Sequence, residues 1–149
     1  MQTLPYSEKS DYLVEEKLSN EVLQIPFSVL HPDDNEKHLS QFFKNNHNVQ
    51  GIVVMNSRGS IVSDYLKQNN IDNVKMICMD LTTSNITAIK NGRIDFLIGQ
   101  CPDYQGFYAM KTMLEYLIFK SPVNVENYAQ LDIITKETIG YYKRFSNIL

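Results

Sequence analysis

The chain has 149 residues, room for one domain and cramped for two. Apolar residues make up 43% and charged residues 21%, a globular balance with material for one core. Lys plus Arg number 14 against 17 for Asp plus Glu, so the formal charge of −3 gives no general electrostatic draw toward nucleic acid or an anionic membrane.

Residues 1–21 read as a leader or the start of a first helix, with polar residues dominating. A strand is expected over Val22–Leu30, demoted to an edge or bend by Pro26. Pro32-Asp33-Asp34 is a helix-start signal, and Leu39, Phe42 and Phe43 share one helical face. Gly51–Met55 is a short continuous apolar run, the pattern of a strand covered on both sides. Ile61, Val62, Tyr65 and Leu66 recur at helical spacing, and Val74–Met79 is the next strand. Thr82-Thr83-Ser84 caps a short helix that Asn91-Gly92 closes. Ile94–Gly99 is a fourth strand. Pro102-Asp103 opens the longest helix, with Phe107, Met110, Leu114 and Leu117 on one stripe and Phe107 a core position by spacing. Leu131–Thr135 is a fifth strand, and Ile139–Phe145 a last short helix. Strands alternating with helices imply an α/β fold: a five-stranded, mostly parallel sheet with helices on both faces.

Some chemistries are poorly served. No apolar run approaches the roughly 20 residues of a membrane span, and Met1–Tyr6 lacks the basic-then-apolar pattern of a secretion signal. Cys78 and Cys101 lack metal-ligand spacing and are expected to be small core thiols in a reducing compartment. His31, His38 and His47 have no acidic or cysteine partner in sequence and read as solvent-facing. Neither a dinucleotide fingerprint nor a phosphate loop is present. The expectation is no enzyme, no catalytic residue, no metal and no cofactor.

In an open parallel sheet, ligands bind at the carboxyl ends of the strands. Those ends present Asn56, Asp80 and Gln100. Amides and a carboxylate that can each bond two hydroxyls suit a polyol or sugar. On spacing alone, the same residues could be helix caps and turns. Tyr104 sits where it could stack on a sugar ring. A phosphoryl-accepting receiver domain is a rival, since Asp80 ends the third strand. It lacks the acidic pair after strand one, and Gln100 stands where a small hydroxyl residue is needed.

The segment Met79-Asp80, then Asn91 to Gln100, then Pro102-Asp103-Tyr104-Gln105-Gly106, resembles the second lobe of type I periplasmic-binding-protein domains. The likeness is greatest to effector domains of LacI-family (lactose-repressor-type) transcription regulators, and it covers roughly residues 22–142. The Gln-x-Pro-x-x-Gln-Gly segment opening a long helix is its most specific part. The resemblance implies that Asn56, Asp80 and Gln100 are ligand groups. Ser57-Arg58 depart from the family pattern, and Arg58 could reach an anionic group on the ligand. It further implies that residues 22–149 are the second lobe of a sugar-binding clamp, with the first lobe and the DNA-binding domain absent from these residues. The implied partners are a carbohydrate effector and a second copy in a homodimer, with DNA reached only through the missing domain. The implied setting is a cytoplasmic regulator. A sensor module of a membrane-bound signalling protein and a transport binding protein are the alternatives.

Overall fold

The computed structural model describes residues 22–28 and 32–142, which fall into two units divided after Asn45.

In the first unit, α1 (Pro32–Asn45) follows the expected apolar spacing. Leu39 is buried, and the half-buried rings of Phe42 and Phe43 meet edge to face with centroids 5.5 Å apart. The strand expected over 22–30 is not present in residues 22–28, which have irregular backbone; 29–31 lie outside the described residues. The physical reason is that the backbone is bonded elsewhere. Ser28 N donates to Asn35 Oδ1 (2.7 Å), Asn35 Nδ2 donates back to Ser28 O (2.9 Å), and Pro26 has no N–H to offer a ladder.

In the second unit the order is β1 (Gly51–Val54), α2 (Gly59–Gln68), β2 (Lys75–Met79), α3 (Thr83–Lys90), β3 (Phe96–Gly99), α4 (Pro102–Leu117) and β4 (Asp132–Ile134). The sheet of the described residues has four strands, not five, in the order β1-β2-β3-β4. The first three run parallel and β4 is antiparallel to β3. The register aligns Val54, Cys78, Leu97 and Ile134 across one face, and all four are buried. Val62, Tyr65 and Leu66 of α2 and Ala88 and Ile89 of α3 are buried with them. Gly59 permits the close approach: a Cβ there would lie 2.4 Å from Cys78 Sγ.

The opposite face departs from the expectation of helices on both sides. Val53, Phe96 and Ile133 point that way by register, and each is exposed. The second departure is α4. It starts at Pro102 as its sequence indicates, yet none of its residues is buried. Phe107 is 66% and Met110 64% exposed, and Leu114 and Leu117 are exposed as well. Helical spacing fixes that these side chains share a stripe but not what the stripe meets. Beyond β4, residues 136–141 form turns in place of the expected helix, with Ile139 buried; residues 143–149 lie outside the described residues. No helix among the described residues is long and apolar enough to cross a membrane.

Candidate ligand-binding site

Each of the three parallel strands ends in a short loop leading into a helix, and these loops carry the polar residues. After β1, Asn56 Oδ1 accepts from Arg58 N at 2.9 Å, an Asx turn that bends the chain into α2. The turn role foreseen for Asn56 is therefore real. Among the described residues, however, its Nδ2 has no hydrogen-bond partner. Arg58 is the N-cap residue of α2 and is half-buried.

After β2, Asp80 takes φ 68°, a left-handed conformation that non-glycine residues seldom adopt. Its N–H donates to Ile98 O of β3 at 2.9 Å, which holds it against the next strand. After β3, Gln100 Nε2 donates to Asp80 Oδ1 at 3.0 Å. Asp80 and Gln100 are thus in direct contact, both half-buried at the sheet's carboxyl edge. A neutral amide on one carboxylate oxygen leaves the other as a charge-assisted acceptor for a hydroxyl. Gln105 Nε2 bonds Gln100 O at 2.6 Å, tying the first turn of α4 to the same loop.

Tyr104 is exposed in the first turn of α4. Its ring stacks on Tyr108 (6.0 Å, 20°) and lines a groove of about 560 Å³ along α4 with Tyr116, Tyr128 and Val123.

Two features escape a sequence reading. The first is Asn85, fully buried on α3 behind the loops. Its signal is an asparagine three residues after the Thr82 N-cap, where a capping residue stands in many helices. The second is a triangle at the β3–α4 junction. Cys101, also left-handed (φ 48°), donates its thiol to Asp132 Oδ2 at 3.1 Å. Tyr142 OH lies 3.2 Å from that sulfur and donates to Asp132 Oδ2 at 3.0 Å. Tyr142 lowers the thiol's pKa, but the bond to Asp132, partial burial and the charges of Asp132 and Asp103 outweigh it and push Cys101 upward. Cys101 is half-buried, so only Cys78, whose pKa burial pushes up to about 12, is the fully buried core thiol expected of both. No group of three His, Cys, Asp or Glu among the described residues could hold a metal ion.

Residues 21–121, more than half of the chain, match the periplasmic binding protein domain. The chain belongs to that family. Several solved structures share its fold. A protein from Bacteroides fragilis, provisionally assigned as a LacI transcriptional regulator, is 32% identical over 90% of this chain with a TM-score of 0.77. A solute-binding protein of an Agrobacterium vitis ABC transporter, bound to α-D-tagatopyranose, is 20% identical over 80% of the chain with a TM-score of 0.69. GanP, a glucose-galactose binding protein from Geobacillus stearothermophilus, is 18% identical over 68% of the chain with a TM-score of 0.63. This periplasmic-binding-protein domain spans 46%, 40% and 37% of those three chains, under half of each. Among curated proteins none matches the chain.

Proposed function

We propose that this chain is the second lobe of a carbohydrate-binding clamp in a LacI-type transcription regulator. The observation that carries the reading is the Asp80–Gln100 contact, with Asn56 on the neighbouring loop, at the carboxyl ends of three adjacent parallel strands. Hydroxyl-rich ligands need paired donors and acceptors held without water competition, and this trio supplies both. The likeness to the Bacteroides fragilis protein favours a regulator. The sugar named with the Agrobacterium vitis protein agrees with a carbohydrate ligand.

The exposed face of α4 supports a partner lobe. An apolar stripe of this size is rarely left to water. In the proposed protein, a first lobe covers it and closes over the sugar, and the closed population alters DNA binding by a further domain. Such a regulator is cytoplasmic and dimeric, and Arg58 is available for an anionic substituent on the ligand.

The test compares affinity with stability. In the two-lobed protein, Asp80→Ala should weaken sugar binding by about ten- to a hundredfold. It should leave the melting temperature of the ligand-free lobe almost unchanged. Leu97→Ala, at a fully buried strand position, should cost about 2–5 kcal/mol of stability. If Asp80→Ala destabilises the lobe as Leu97→Ala does and spares affinity, Asp80 is a structural cap and the reading fails.

A further inference from the structure

One buried side chain joins the two loops that carry Asn56 and Asp80. Asn85 Oδ1 accepts from Ser60 N at 2.9 Å. Asn85 Nδ2 lies 3.1 Å from Ser57 O, 3.0 Å from Met79 O and 3.1 Å from Asp80 O, three acceptors sharing two protons. Two of these partners, Ser57 and Ser60, belong to the turn that begins at Asn56. The other two are the end of β2 and Asp80 itself. The carboxamide is in turn fixed by its own helix: Thr82 Oγ1 accepts from Asn85 N at 3.2 Å and sets the first turn of α3.

We propose that Asn85 is the positioning residue of the sugar site. It touches no ligand. It holds Asp80 in its left-handed backbone conformation, gripping the carbonyl while Ile98 grips the N–H. It also sets the separation between the Asn56 turn and Asp80. Only an amide of this length does both. Aspartate would face three carbonyl oxygens with a carboxylate, leucine would leave buried backbone groups unpaired, and serine would not span the two loops. The proposal rests on the reading of Asn56, Asp80 and Gln100 as hydroxyl ligands.

Asn85→Asp tests it, because the variant is isosteric, keeps the acceptor for Ser60 and loses both donors. The 149-residue chain, uniformly labelled with ¹⁵N, is titrated with D-ribose, D-xylose, D-glucose and D-galactose. In the ligand-free variant, amide signals of residues 56–60 and 79–81 should move or broaden while those of β4 stay in place. The sugar-induced shifts of wild type at Asp80 and Gln100 should fall at least tenfold at equal sugar concentration. A purely structural Asn85 would lower the melting temperature and leave those shifts intact, which overturns the proposal. Should Asn85→Asp fail to fold, Ser60→Pro removes the N–H that Oδ1 accepts, at a first-turn position where proline is tolerated. It should move the Asn56 signal and weaken the titration; a folded Ser60→Pro with an unchanged titration contradicts the proposal. Failure of the underlying sugar reading looks different: Asp80→Ala would leave the wild-type shifts as they were, or wild type would show none.

Discussion

At the scale of single residues, the site is built from backbone conformations that side chains must hold in place. Asp80 and Cys101 both adopt positive φ; Asp80 directly follows β2, and Cys101 lies one residue further on after β3. Such conformations cost roughly 1–3 kcal/mol each and persist where the surroundings over-determine them. Here the surroundings are Asn85 and Ile98 around Asp80, and Asp132 and Tyr142 around Cys101. Gly59 is the steric counterpart, because it lets α2 seat close to β2. Gly59→Ala should therefore cost about 1–3 kcal/mol, since the new methyl meets a fully buried sulfur in a packed layer. Chemical denaturation checks it: a reduced midpoint with an unchanged slope is expected, and an unchanged midpoint contradicts the close packing.

At the scale of elements, the start of the sheet is held by an acid-sensitive link. Asp95, just before β3, accepts from Lys75 Nζ at 2.9 Å and from Met76 N at 2.8 Å, both on β2. Partial burial pushes its pKa up, but the Lys75 hydrogen bond, the Met76 N–H and the Lys75 charge prevail and hold it below the usual carboxylate value. Because the folded value lies below the unfolded one, the contribution is present above about pH 4 and is lost as pH falls through the folded value. Asp95→Asn should lower the melting temperature slightly at neutral pH and flatten its decline between about pH 5 and pH 3. An unchanged acid profile would contradict the assignment. The elements of the second unit were legible because each carries its own punctuation: Thr82 and Gly92 around α3, and Pro102 at the start of α4. What packs on each element was not legible. The stripe of α4 has core spacing and solvent exposure, since periodicity reports a face and not its partner. Phe107→Ser and Leu114→Ser should accordingly change the stability of this chain by less than about 0.5 kcal/mol. A loss like that of a core leucine in thermal melts would place α4 in the core.

At the scale of the whole molecule, the strand-end rule led to Asn56, Asp80 and Gln100, and the Asp80–Gln100 contact brings two of them together. The sequence missed Asn85 because its role depends on four backbone groups from two loops 25 and 28 positions away at one end and 5 and 6 at the other. On the proposed reading this chain is half a clamp that leaves much of a sugar in water, so alone it should bind no tighter than about 1 mM. The most direct measurement is the NMR titration of this chain with pentoses, hexoses and uronates, repeated on Asp80→Ala. The account predicts weak, saturable shifts confined to the loops at Asn56, Asp80 and Gln100, abolished in Asp80→Ala. Shifts centred on the α4 groove, shifts indifferent to Asp80→Ala, or micromolar binding by this chain alone would contradict it.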